Sequence, residues 1–321
     1  MSSCRPSGGT RARASRGFTL IELLVGIAIS LVIVAAAAMM YISTAGIGRS
    51  SLRIAEIQGN GQQAMDALRR DVINSGFRGL TGDVDQLSPA AAVSVSNDCA
   101  SGFAMNLRQA VWAANDANPF SATCIPGANY LGGDVLAIRR LGIVPTGSLQ
   151  STRLYLRSAF QAGQYFLGSS PPASFGFTPA VDYVADASVY FISPFTADES
   201  PQVPALYRVR LLPGPAISAP ELVAGGIDDL QVQFDVRDAA TEQVRIYDAG
   251  GAPLADSSVA SGATGWDSVV AVRVFLLVRA QTGEVGYAPG SRTYTLGSRQ
   301  VTFNDNIPRQ VMSSVFSLRN R

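Results

Sequence analysis

From Phe18 the chain turns abruptly apolar, and between Leu23 and Ile42 only Ser30 is polar. At 1.5 Å per residue a helix over that stretch crosses the hydrocarbon core of a bilayer. Beyond Tyr41 the pattern becomes amphipathic. Ile54, Ile57, Gly61, Ala64, Leu68, Val72 and Ser75 recur at spacings of three and four, which predicts a helical stripe that packs on a globular domain. Arg53, Glu56, Gln63, Arg69, Arg70 and Asp71 fall largely off that stripe. Gly46, Gly48, Gly59 and Gly61 interrupt it. Two readings of them stand side by side: close packing, or a segment soft enough to bend when its surroundings change. Gly76 or Gly79 marks the expected helix end, with Arg78 beside the C-terminal dipole.

After residue 80 the period shortens. Short β-branched runs alternate with Gly, Pro, Ser and Asp clusters, so strands are expected near Asp134–Arg139, Arg153–Ser158, Ser188–Ile192, Ala205–Leu211, Leu230–Arg237, Val269–Arg279, Tyr294–Phe303 and Val311–Leu318. Leu230–Arg237 alternates and should bury one face. Val269–Val278 is more continuously apolar and should be central. Segments 80–130, 159–186 and 238–266 read as long loops. The expected class is α+β: a long N-terminal helix, membrane-spanning in its first half, on an antiparallel β-rich domain. Its parts are a leader over 1–17, a span over 18–42, an amphipathic continuation over 43–79 and an exported head over 80–321.

Composition narrows the chemistry. Hydrophobic residues are 47% of the 321 and charged residues only 15%, which argues against a disordered chain and fits membrane attachment. The sequence has neither histidine nor lysine. A Ser-His-Asp or Cys-His site is therefore excluded, as are zinc on His ligands and the lysine of a P-loop or Schiff base. Net charge is +1, so there is no global field for nucleic acid. The positive charge is uneven, with Arg5, Arg11, Arg13 and Arg16 and no acid before the span. The N-terminus should stay cytoplasmic and everything beyond Ile42 should be exported.

Glu22 does not fit a plain anchor, because a carboxylate in a membrane helix is costly. Thr19-Leu-Ile-Glu22 matches a capping box, and the helix dipole favours an anion in the first turn. The longer string Arg16-Gly17-Phe18-Thr19-Leu20-Ile21-Glu22-Leu23 closely resembles the class III signal of type IV pilins and pseudopilins. That resemblance implies a cut by prepilin peptidase between Gly17 and Phe18 and methylation of the new Phe18 amine, with the span retained. It also implies that Glu22 of an incoming subunit pairs with the amine of its neighbour. Pairing within one subunit, or the capping box alone, are the alternatives.

A second resemblance covers Gln58 to Gly79, where Gln58, Asn60-Gly61, Ala64, Leu68, Arg70-Asp71 and Gly76-Phe77 stand as in PilW-type minor pilins. The tail Arg309 to Arg321, with its Leu318-Arg319-Asn320 run, and the stretch Trp266–Arg279 are similar to the same family's closing regions. For residues 80–220 no likeness is evident. The resemblance implies a structural minor pilin that primes or caps a type IV pilus. Its partners would be other minor and major pilins, the peptidase, an inner-membrane assembly platform and a tip adhesin, with no nucleic acid. It would lie in the inner membrane with its C-terminus periplasmic, and on the pilus after assembly. The alternative is a GspJ-like pseudopilin of a type II secretion system.

Cys4 leaves with the leader. Cys99 and Cys124, the two cysteines beyond it, meet an oxidising compartment and are expected to pair. The acidic spots at Asp83/Asp85, Asp198-Glu199, Asp228-Asp229 and Asn304-Asp305-Asn306 have no EF-hand arrangement and read as solvated turns. No catalytic residue, metal ligand or cofactor is expected, with a structural calcium at one of these spots as the alternative.

Overall fold

The protein is seen here as a computed structural model that describes residues 18–88, 93–194, 203–238, 240–251, 253–254, 265–283 and 290–320. The leader, Gly17 and the Asp198-Glu199 pair lie outside the described residues. The chain divides into two compact units, the first ending at Leu52 and the second running from Arg53 to the end. Helix α1 spans Leu20–Ile73 without a break, so none of the four glycines interrupts it. Gly61 is explained by close packing: a Cβ there would run into the Met312 thioether and lie 3.1 Å from Val278. A Cβ at Gly46, Gly48 or Gly59 would meet open space.

In the first unit the large apolar side chains of α1 are exposed, from Leu20 at 80% through Ile42 at 70%. The hydroxyls of this stretch are satisfied within the helix. Ser30 donates to the Gly26 carbonyl at 2.7 Å and Thr44 to that of Met40 at 2.8 Å, as an apolar surrounding requires.

In the second unit α1 buries Ile57, Gly61, Ala64, Leu68 and Val72, the predicted stripe. Three positions differ from it, one of them Ala67, which is buried without being on the stripe. Ile54 is half exposed, and Asp71 is buried. The helix stops at Ile73, and Gly76 and Gly79 take left-handed backbone in the turn that follows. A Cβ at Gly76 would sit 2.7 Å from the Asn320 carbonyl, and one at Gly79 2.6 Å from the Tyr183 ring. Both positions therefore need glycine for backbone and for space.

The rest of the second unit is β structure. Its strands are β1 (Leu87–Ser88), β2 (Val111–Ala114), β3 (Gly132–Leu141), β4 (Leu154–Ala159), β5 (Ala162–Leu167), β6 (Val181–Ser193), β7 (Ala205–Leu212), β8 (Ala216–Ile217), β9 (Glu221–Gly225), β10 (Ile227–Arg237), β11 (Val244–Asp248), β12 (Val269–Arg279), β13 (Arg292–Leu296), β14 (Arg299–Phe303) and β15 (Arg309–Ser317). A nine-stranded sheet runs β1-β5-β4-β6-β3-β2, with β7 also on β6 and carrying β8 and β9. A four-stranded sheet runs β11-β10-β12-β15, and β13-β14 form a hairpin. Pairing between the strands is antiparallel except for the short β1–β5 contact. One hydrophobic core joins α1 to β2, β3, β6, β7, β10 and β12. A smaller one gathers Leu107, Leu141, Leu154, Leu156, Tyr165 and Tyr183.

Several expectations are corrected. The three segments read as loops carry strands β2, β5 and β11 and the start of β6. Tyr294–Phe303 is a hairpin folded at Gly297, whose φ is +60°, rather than one strand. Strand β10 is covered on both faces: its polar positions Gln231 and Asp235 are 5% and 8% exposed. The hairpin turn lies over that polar face, with the Cβ position of Gly297 3.0 Å from the Gln233 side chain. The alternation was real, but the second face meets protein in place of water.

Candidate functional site

Two places carry the residues singled out by sequence: the start of α1, and the junction of the motif 58–79 with the C-terminal tail. At the first, Thr19 and Glu22 close a reciprocal cap. The Thr19 backbone N–H donates to Glu22 Oε2 at 3.0 Å and its hydroxyl donates to the same oxygen at 2.9 Å. The Glu22 N–H returns a bond to Thr19 Oγ1 at 3.3 Å. This is a capping box as the pattern predicts. It uses only one carboxylate oxygen, so Oε1 stays open to a second partner. Phe18 is 87% exposed.

At the second place the two family-like ends meet. Gly61 packs on Met312, and Gly76 packs on the Asn320 carbonyl. The Gln63 side chain donates to the Val223 carbonyl at 2.7 Å. Asp71 faces the nine-stranded sheet. It accepts from the Tyr190 hydroxyl at 2.6 Å and from Arg140 at 3.2 Å, and Arg208 stands 3.8 Å away. Asp186 and Glu221 complete the set, 2.6 Å from Arg140 and 3.6 Å from Arg208. This network pins the helix to β3, β6 and β7. The reading that put Asp71 off the stripe missed it, although its place seven residues after Ala64 and three after Leu68 was the signal.

Cys99 and Cys124 form a disulfide. The chain between them is not a surface loop. It buries Phe103, Leu107, Val111, Trp112 and Phe120, with Trp112 and Phe103 each 5.7 Å from the Phe120 ring. The fully buried Arg139 donates to the Phe103 carbonyl at 2.7 Å and lies 4.0 Å over its ring. Burial lowers that guanidinium to about 9, against the pull of Asp98.

The acidic spots are occupied by the chain itself. Asp83 caps a short helical turn through the Asp85 N–H at 3.0 Å, and Asp85 pairs with Arg108. Asp228 and Asp305 close on Arg309, which meets both Asp305 oxygens at 2.6 and 2.9 Å. An arginine therefore stands where a cation between those two carboxylates would sit. Among the described residues no group of three or more acids or cysteines is arranged to hold a metal.

Asp134 and Asp229 form a buried acidic pair, so Asp229 is not in the solvated turn that its sequence neighbourhood suggested. Asp134 accepts from the Asp116 N–H at 3.0 Å and the Val232 N–H at 2.7 Å. Burial raises it to about 8, with repulsion from Asp229 and Asp248 adding to the shift. Burial likewise raises Asp229 to about 6, against the Gln231 hydrogen bond. An aspartate in the unfolded chain titrates near 3.9, so the folded state holds these protons longer than the unfolded one. Their contribution is favourable below about pH 4 and is lost as pH rises through about 6 to 8. The urea midpoint of the chain in detergent is expected to be lower at pH 8.5 than at pH 5, and Asp134→Asn should reduce that difference. An equal pH dependence in the variant would contradict this assignment.

Residues 189–320 match the family model described as Type IV Pilus-assembly protein W, and residues 12–38 match the prokaryotic N-terminal methylation motif. The C-terminal part of the chain, from residue 189 to 320, is PilW-type. The PilW match starts inside β6 and runs through β15, so it takes in the whole four-stranded sheet. It also reaches back into residues 189–220, where sequence alone showed no likeness. Among solved structures, this chain is similar to a type IV-like pilin from Thermus thermophilus. The TM-score is 0.34 and the identity 13%, over 81% of this chain and 95% of that one. No curated protein sequence matches it.

Proposed function

We propose that this protein is a minor pilin that assembles with other minor pilins to prime or cap a type IV pilus, as a structural subunit rather than a catalyst. The observation that carries the reading is the start of α1. A helix whose large apolar side chains are uncovered from Leu20 to Ile42 begins beside a capped glutamate, directly after a peptidase-type signal. Such a surface needs lipid before assembly and neighbouring helices after it. Cleavage between Gly17 and Phe18 would place a cationic amine one helical turn before Glu22. The cap and the intersubunit pair are compatible: Oε2 holds Thr19, and Oε1 is free to meet the amine of the adjacent subunit. The PilW match favours the pilus over a secretion system as the setting.

Glu22→Ala tests the pairing. The variant is expected to insert, because losing a carboxylate makes the span more apolar, and to be cleaved, because the scissile bond is unchanged. Docking should fail, since an amine left unpaired in lipid costs about 3–5 kcal/mol. Loss of the cap alone costs about 1 kcal/mol. The measurement is crosslinking to other pilins together with surface pilus counts in a strain lacking the native copy. Normal crosslinks and normal piliation would reject the pairing.

A further inference from the structure

Arg69, Arg70 and Arg319 belong to the two motifs that meet at the helix–tail junction, yet the fold makes little use of them. Among the described residues Arg69 and Arg319 have no hydrogen-bond or ionic partner, and Arg70 spends only its Nε on the Asp66 carbonyl at 3.2 Å. The three arginines line a hollow of about 570 Å³ in which Asp66 is the sole acid. That hollow continues into a groove of about 420 Å³, with Met65, Arg69 and Ile73 of α1 on one wall and Val315 and Ser317 of β15 on the other.

The strand wall is an open sheet edge. Among the described residues β15 pairs with β12 alone, in unbroken register from Arg309 to Ser317. Exposed edges are ordinarily blunted by lysine, proline, a bulge or an inward charge. Strand β15 has no lysine, proline or bulge, and its inward charge is confined to its first residue. Its one charged residue, Arg309, is committed to Asp228 and Asp305. Ser313, Val315 and Ser317 stand exposed along it, Val315 to 51%.

We propose that β15 and α1 form a strand-addition groove for an extended acidic segment of a neighbouring subunit. The segment's backbone pairs with the open edge of β15 and extends the four-stranded sheet, as in strand addition generally. Its carboxylates meet the guanidinium groups of Arg69, Arg70 and Arg319, a pairing suited to bidentate hydrogen bonds. Phosphate would also satisfy the arginines, but a nucleic acid has no counterpart for the row of backbone donors and acceptors beside them. After the leader is removed, 21 arginines face 24 acids, so no wider positive field would draw nucleic acid in. This inference rests on the assembly reading for the partner's being a fellow subunit.

The test uses the full chain in detergent micelles and a fluorescein-labelled octapeptide of alternating threonine and valine that ends in two aspartates. Fluorescence anisotropy is expected to show saturable binding. Arg69→Glu combined with Arg319→Glu should weaken it by about tenfold or more. Exchanging the peptide's aspartates for lysines should do the same, with the protein untouched. N-methylation of alternate peptide amides should abolish binding, because those amides can no longer donate to β15. Absence of saturable binding would overturn the proposal. So would equal binding of the N-methylated peptide, indifference to the charge changes, or tighter binding of a single-stranded deoxythymidine oligonucleotide than of the peptide. The assay contains no pilus, so its failure leaves cleavage and docking through Glu22 standing. A failure of those would not by itself remove peptide binding.

Discussion

Asp71→Ala is expected to lower the stability of the second unit by about 3 kcal/mol, at the low end of what breaking a buried ion pair costs. Asp71 is 7% exposed. Its removal leaves the Tyr190 hydroxyl, itself fully buried, without its 2.6 Å acceptor, and leaves Arg140 and Arg208 with fewer counter-charges. The loss is held to the low end because Asp186 and Glu221 still face those arginines. Asp71→Asn should cost less, since an amide oxygen can still accept from Tyr190. Chemical unfolding followed by the fluorescence of Trp112 and Trp266, both buried, measures the difference. Leader cleavage should be unchanged, because the cut lies outside this unit. A destabilisation below about 1 kcal/mol, the range of an ordinary hydrogen bond, would show that the network does not anchor the helix.

Removing the disulfide through Cys99→Ser with Cys124→Ser should have an effect of similar size. The bridge closes a sequence separation of 25 residues, worth roughly 3–4 kcal/mol on the chain-entropy model. The closed segment is part of the core here. Phe103, Trp112 and Phe120 form one aromatic group, Trp112 lies 6.2 Å from Trp266, and Trp266 lies 5.0 Å from Phe234 of β10. Opening the bridge should therefore loosen both tryptophans, shifting their emission before global unfolding. Steady-state abundance of the double variant should fall while its leader is cut normally, because the proposed topology puts bridge and cut on opposite sides of the membrane. Abundance and unfolding midpoint equal to those of the native chain would contradict the assigned role. The packing of this segment makes the bridge a staple of the core, since its large side chains face inward.

What the sequence made legible is what local periodicity encodes. The apolar run, the capping box and the three-four stripe specify α1 closely. Strands β10 and β12 follow from long runs with a clear hydrophobic pattern. The misses have physical causes. Strand β2, Val111–Ala114, is too short to show alternation and lies among turns. Strand β11 is an edge strand whose Val244 and Ile246 are half exposed, so burial imposes little pattern on it. The hairpin β13-β14 read as one strand because only Gly297-Ser298 separates two compatible runs. Arg309 with Asp228 and Asp305, Arg139 under Phe103, and Asp134 beside Val232 join residues that lie far apart in the chain. Only the fold brings these polar partners together, so the acidic spots read as solvated turns when several are ion pairs.

The most direct test of the pilin reading is the mass of the chain recovered from pili sheared off cells, set against the chain left in the membrane. The mature form is expected in both fractions, beginning at Phe18 and carrying a methyl group on its amine, with Gly17 and everything before it gone. Filaments containing chains that still begin at Met1, or pili from which the chain is absent while it accumulates cleaved in the membrane, would contradict it.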